Sequence, residues 1–265
     1  MIPFFMTMND IAVSVITVTF NAKDCIQRTL DSVLMQTYAG VEHIIMDGAS
    51  SDGTADIARR YRDAHPDRRI VVVSEPDKGL YDAMNKAMDI ASGTYLCFLN
   101  AGDKLHSASS LEEVVGAAAG DGRHGLAGVV YGNTDIVDAE GVRLRARRLA
   151  PPEKLTSRSF GNGMLVCHQA FYVNKEICLP YDLNYRFSAD FDWCIRCMKQ
   201  AGRIYNTRMT LSNFLDGGVS TTQRKASLKE RYDIMCRYYG VISTSLLHVW
   251  FAIRFYFAKW FKGRV

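Results

Sequence analysis

The chain has 265 residues, 48% apolar and 23% charged, with a net charge of +4. That places it among ordinary globular proteins able to bury a full core, as one large α/β domain or one domain with a small appendage. Seven scattered cysteines (Cys25, Cys97, Cys167, Cys178, Cys194, Cys197 and Cys236), an odd number, argue against a disulfide framework and for reduced thiols in a cytosolic protein.

Met1–Asp10 has an apolar patch at Ile2–Met6. It has no basic flank and is too short for a signal peptide, so nothing in it directs secretion. Ile11–Thr19, IAVSVITVT, reads as a buried parallel strand with Asn21 at its end. Asp24–Gln36 carries Ile26, Leu30, Val33 and Leu34 at helical spacing. Val41–Asp47 is the next strand, and Ser50-Ser51-Asp52 offers N-cap chemistry for a helix to about Ala64. Arg69–Ser74 is a third strand. A helix-length segment, Leu80–Ala91, then leads through Ser92-Gly93 into the apolar run Tyr95–Leu99, which stops at Asn100. Three β-α units in succession predict a doubly wound, mainly parallel, Rossmann-like sheet.

After Asp103 the regularity ends. Val129–Val137 and Val142–Leu149 predict a small antiparallel ribbon around Asp138–Gly141, with Arg143, Arg145 and Arg147 alternating onto one face. Cys167–Val173 is a strand candidate, Ser188–Gln200 a helix, Arg203–Leu211 a strand, and the remainder helical. The tail from Arg224 holds nine basic residues against Glu230 and Asp233, a net +7 that leaves the preceding residues at −3. Its longest uncharged run, Tyr238–Ile253, has 16 residues, short of the roughly 20 needed to span a bilayer. With Trp250, Phe251, Phe255, Tyr256, Phe257, Trp260 and Phe261 among Arg254 and Lys259, 241–261 suits an interfacial helix on an anionic membrane.

Several side chains stand where chemistry is expected. Asp47 ends a strand before Gly48, where a carboxylate can accept from a base N–H or a ribose hydroxyl, whereas Asp52 reads as capping. Asp103 lies just beyond a buried strand, at the edge where open α/β sheets bind ligands. Its charge is costly there unless offset, and Mg²⁺ or Mn²⁺ needs few protein oxygens when a diphosphate and water complete its octahedron. Asp190 and Asp192 open a helix whose positive end stabilises anions. Cys194-x-x-Cys197 has no second pair to complete a zinc site.

VSVITVTFN, MDGASSDGT, SEPDKGLYDAMNKA, FLNAGD, HQA, SADFD and GGVS, in that order, resemble family 2 glycosyltransferases, and among these the bacterial exopolysaccharide branch that includes the colanic acid enzymes. The resemblance implies a GT-A fold over 1–222, with a nucleotide-binding half at about 10–105, an acceptor half at about 106–222, and a helical tail at 223–265. It implies inverting transfer from a nucleotide sugar, UDP-sugars being the commonest in the family, to a hydroxyl of a lipid-linked glycan at the inner face of the plasma membrane, with no nucleic acid partner. By motif position, Thr17, Thr19 and Asn21 line the nucleotide, Asp47 binds the base, Asn100 reaches the ribose and Asp103 holds Mg²⁺ or Mn²⁺. Where relatives carry an arginine this chain has Met84, so Lys78 or Lys86 is expected to meet the diphosphate. Asp190 matches the catalytic base, His168 an acceptor or diphosphate contact, and Ser220 a further candidate.

A sugar-1-phosphate nucleotidyltransferase would need a Gly-rich basic loop after the first strand, which Val18–Lys23 lacks. A non-catalytic nucleotide-sugar-binding or scaffold subunit remains an alternative, because Asn100–Gly102 lacks the acidic run of many relatives.

Overall fold

The computed structural model describes residues 11–120, 125–217 and 224–262. The Ile2–Met6 patch, Gly218–Ser220 and the aromatic side chains of 255–261 lie outside what is described.

All seven side chains of β1 (Val13–Thr19) are buried, as its β-branched sequence demands. It pairs in parallel with β2 (Val41–Asp47), which pairs with β3 (Arg69–Ser74), and on its other side with β4 (Tyr95–Phe98). Helices α1 (Ile26–Leu34), α2 (Thr54–Ala64) and α3 (Leu80–Ile90) make the crossovers. Alternate residues face opposite sides: Ile16 and Val18 join one core with Tyr81, Met84 and Trp193, while Val13 and Val15 join another with Val33 and Leu111. The register sets Thr19 beside Asp47 and Asp47 beside Ser74, so three strand ends share one edge.

The second half contributes β5 (Lys104–Leu105), α4 (Ser110–Ala119), β6 (Val129–Val137), β7 (Arg143–Ala146), β8 (Phe171–Asn174), α5 (Ala189–Gln200) and β9 (Ile204–Leu215). The strands form one nine-stranded sheet in the order β3-β2-β1-β4-β8-β6-β9-β5, with β7 paired to β6. The expected ribbon is therefore no separate unit. β6 lies between β8 and β9 and runs parallel to β9, because its start, Val129–Tyr131, is buried and cannot serve an edge. The strand expected from Cys167 begins at Phe171, after a 3₁₀ turn at His168–Ala170. β9 runs past Leu211 to Leu215.

Trp193 on α5 anchors the first core. It stacks on Tyr181 at 4.9 Å and meets Phe98 and Phe171 at 5.4 and 5.7 Å. All seven cysteines are free, with Cys194 and Cys197 buried on α5. The tail comprises α6 (Arg224–Tyr239) and α7 (Val241–Lys262). α6 docks on the body through buried Ile234 and Met235, and the Tyr238 hydroxyl donates to Asp192 at 2.7 Å. No described helix is long and apolar enough to cross a membrane.

Candidate active site

Two loops are stitched together at the β1–β2 edge. Asn21, at φ +48°, donates its N–H to Ser50 Oγ at 2.8 Å and accepts the Ser51 N–H at 3.0 Å. Asp47 is fully buried. It accepts the Ser50 hydroxyl at 2.5 Å, the Ser50 N–H at 3.0 Å and the Ser74 hydroxyl at 2.6 Å. Three of the roughly four lone pairs of this carboxylate are thus committed to the turn itself. Asp52 takes the capping role: its carboxyl is held down to about 2, chiefly by the Thr54 hydroxyl. A Cβ on Gly48 would fall 2.4 Å from Asp77 Oδ2, so a larger residue there would push the Asp77 side chain aside.

Thr19 reaches this edge, with its hydroxyl buried and unpartnered. Thr17 does not. It lies two residues inside the strand and its Oγ1 meets His43 Nε2 at 3.0 Å, while His43 Nδ1 meets the Tyr61 hydroxyl at 3.2 Å. Burial pushes His43 down to about 3, so this is a neutral core network, and the expectation that Thr17 lines the nucleotide is corrected. Lys86, the other expected diphosphate cation, is engaged elsewhere. Its ammonium pairs with Glu75 at 2.8 Å and donates to the Pro76 carbonyl at 2.8 Å, leaving exposed Lys78 as the cation of that loop.

The turn after β4 carries the second carboxylate. Thr29 on α1 holds it, accepting from the Gly102 N–H at 2.8 Å and donating to the Asp103 carbonyl at 2.7 Å. Gly102, at φ +98°, packs so tightly on Leu215 that a Cβ would approach it to 2.9 Å. Asp103 accepts from Gln169 Nε2 at 2.6 Å and from the Leu215 N–H at 3.0 Å. Burial outweighs these bonds and pushes its carboxyl up to about 6. Asn100 Oδ1, in the same turn, is buried without a partner. An under-compensated carboxylate and an orphaned amide oxygen form an all-oxygen pair that fits a hard divalent cation. Among the described residues no group of three or more His, Cys, Asp or Glu could hold a metal, so other ligands must complete the shell.

Asp190 opens α5. Oδ1 accepts the Tyr81 hydroxyl at 3.2 Å and the Phe191 N–H at 2.9 Å, and Oδ2 meets His168 Nδ1 at 3.3 Å. Burial works against its charge. The hydrogen bond and charge of His168, the charge of Arg231 and the Phe191 N–H outweigh burial and hold the carboxyl below the usual carboxylate range. His168 Nε2 lies 3.3 Å from Asn100 Nδ2. The Nδ1 edge of the ring faces Asp190, whose ionised carboxylate can only accept, so Nδ1 carries a proton. Consecutive residues on one 3₁₀ turn therefore touch the two carboxylates, His168 meeting Asp190 and Gln169 meeting Asp103. Asp47 stands apart, two strand spacings or about 10 Å across the sheet from β4.

Other residues at this site escaped the sequence reading. Phe20, at the end of β1, is 65% exposed at the lip beside Gly48. An aromatic directly after a buried β-run was the available signal. Gln169 was visible only as part of the HQA motif. Glu230 on α6 accepts the backbone N–H groups of Arg186, Phe187 and Ser188 at 2.8–2.9 Å, fixing the entry to α5. Arg231 brings a guanidinium whose Nε is buried and unpartnered. Nothing local in the sequence marks either tail residue.

A family profile described as "Glycosyl transferase family 2" matches residues 14–178. A PGL/p-HBAD biosynthesis glycosyltransferase of Mycobacterium tuberculosis is 34% identical over 214 residues, 79% of each chain. A putative teichuronic acid biosynthesis glycosyltransferase of Bacillus subtilis, TuaG, is 46% identical over 93 residues, 35% of this chain and 36% of that one. Among solved structures, S. aureus TarS 1-349 in complex with UDP-GlcNAc superposes with a TM-score of 0.67 at 17% identity, over 84% of this chain and 64% of that one. The mannosyltransferase PcManGT of Pyrobaculum calidifontis, in complex with GDP-Man and Mn²⁺, gives 0.65 at 17% identity over 90% and 70%. These two share the fold.

Proposed function

This chain belongs to glycosyltransferase family 2, and on that premise we propose an inverting transfer from a nucleoside-diphosphate sugar to a glycan hydroxyl, with Asp190 as the base. The observation that supports this reading is the His168-Gln169 turn, whose consecutive side chains contact Asp190 and Asp103.

Asp190 is ionised at neutral pH and can take the acceptor proton. As it does, the acceptor oxygen bonds to the anomeric carbon and the carbon–oxygen bond to the diphosphate breaks, its electron pair leaving with the diphosphate. General base help of this kind is worth about 10²–10⁴-fold. Tyr81 and Phe191 fix Oδ1, and the Nδ1–H of His168 fixes Oδ2, so the carboxylate needs no reorganisation. A divalent cation, Mg²⁺ or Mn²⁺, held by Asp103 with Asn100 Oδ1, would neutralise charge on the leaving diphosphate. The Mn²⁺ in PcManGT supports that assignment.

On the nucleotide side, Thr19, Asn21 and the Asp47 turn form the floor. The exposed Phe20 ring offers a stacking face, worth about 1–3 kcal/mol per base. A uridine donor is favoured by the UDP-GlcNAc of TarS, and Lys78 is the cation of the neighbouring loop. A lipid-linked envelope glycan acceptor is supported by relatives named for PGL and teichuronic acid biosynthesis. Helix α7 fits that setting at the inner membrane face. Leu247 and Phe251 pack inward, while Ile242, Leu246, Val249, Trp250 and Ile253 form an exposed apolar row.

The decisive experiment is a transfer assay over UDP- and GDP-sugars with calorimetric donor binding. Donor binding with transfer that Asp190→Asn abolishes supports the assignment. Unimpaired turnover of that variant removes the base.

A further inference from the structure

The arginine face of the β6–β7 hairpin has no place in the donor chemistry above. Arg143, Arg145, Arg147 and Arg148 fall within six residues. Arg143 Nε pairs with Asp135 at 2.7 Å, and Arg145 pairs with Asp216 at 3.6 Å. Arg147 and Arg148 have no carboxylate partner among the described residues. The Arg147 guanidinium makes one bond, from Nη1 to the Leu149 carbonyl at 3.0 Å, and most of its five N–H donors stay free.

Arg147 lines a groove of about 250 Å³ together with Asn133, Thr134, Asp135, Arg143 and Cys167. One amide, two threonine hydroxyls, one carboxylate and two guanidiniums offer the polar variety that a sugar's hydroxyls require, and Leu149 and Leu165 supply an apolar wall. The size is just under the ~300–1,000 Å³ of drug-sized sites, which suits one sugar residue. Cys167, half-buried, also lines the groove, and desolvation pushes its thiol up to about 11, so little thiolate forms at neutral pH. Cys167 immediately precedes His168, whose imidazole meets Asp190, so the groove and the base are joined by one short stretch of chain.

We propose that this groove is the acceptor subsite and that Arg147 binds an oxyanion, phosphate or carboxylate, carried by the acceptor glycan. The proposal rests on the glycosyltransferase reading and adds the acceptor's charge. A planar guanidinium with free donors suits bidentate capture of either anion.

The test is calorimetry on the full chain saturated with UDP, which blocks the nucleotide site. The probes are methyl glucoside, methyl glucuronide and methyl glucoside 6-phosphate. One anionic probe is expected to bind at least tenfold tighter than the neutral glycoside, and which one it is identifies the carboxylate or phosphate source. Arg147→Gln should erase the preference with UDP affinity kept within twofold, and Arg147→Lys should weaken it only severalfold. The proposal is overturned if neither anion outbinds methyl glucoside, if Arg147→Gln keeps the preference, or if Arg60→Gln, exposed on α2, lowers it equally. If the unaltered chain binds GDP and not UDP, the same measurement is made with GDP; failure of the glycosyltransferase reading is a separate result, absent binding of both nucleotides.

Discussion

Asp103→Asn should stabilise the protein while silencing it. Burial pushes the Asp103 carboxyl to about 6 against 3.8 for the free side chain. A raised pKa means the folded state binds the proton more tightly than the unfolded chain. The stabilisation it brings is complete below pH 3.8 and is lost as pH climbs through 6. Roughly two units at about 1.36 kcal/mol each put the ionised, metal-free protein about 3 kcal/mol below its protonated optimum above pH 7. At pH 5, between the two pKa values, the loss is about half of that. Asparagine keeps the shape and ends the titration. It also sets an NH₂ against one of two donors, Gln169 Nε2 or the Leu215 N–H, costing about 1–2 kcal/mol at any pH. The two effects nearly cancel at pH 5 and leave the variant about 1–2 kcal/mol ahead at pH 8. Urea melts of both proteins in chelator at pH 5 and pH 8 measure this, and transfer activity should vanish in the variant. A stability difference that is the same at both pH values, or that shrinks as pH rises, refutes the reasoning.

Asp190→Asn should lower turnover by about 10²–10⁴-fold with donor affinity nearly unchanged, read by transfer kinetics beside calorimetry. Glu230→Ala strips the charged acceptor from three backbone N–H groups at the entry to α5. It should cost about 2–4 kcal/mol in urea melts and slow transfer, because Asp190 lies two residues beyond Ser188. Thr17→Val leaves His43 Nε2 without its partner and should cost about 1–3 kcal/mol. UDP affinity should hold, and a loss there would return Thr17 to the nucleotide site. Trp250→Glu should reduce co-sedimentation with anionic vesicles without changing turnover on a soluble acceptor.

The parallel half of the fold was legible because its signals are local. IAVSVITVT can be little but a buried strand, and the helices between strands show their apolar spacing. The positions of Asp103 and Asp190 in the fold were legible for the same reason, one following a strand and the other opening a helix. Thr17 was not. β1 is buried on both faces, so its sequence gives no contrast between the side facing His43 and the edge facing the cleft. The central place of β6 was equally hidden, since a buried run does not say which strands flank it.

The sequence by itself determined the strands of the parallel half, their crossovers and where the two carboxylates fall on them, because backbone preference and hydrophobic period act over a few residues. Only the tertiary structure decided what each carboxylate touches. Gln169 and Leu215 reach Asp103 from 66 and 112 residues away along the chain, and Glu230 fixes the approach to Asp190 from 42 to 44 residues beyond the segment it binds. A buried charge takes its protonation from whatever packs around it, and that packing is set by the whole sheet and the docked tail.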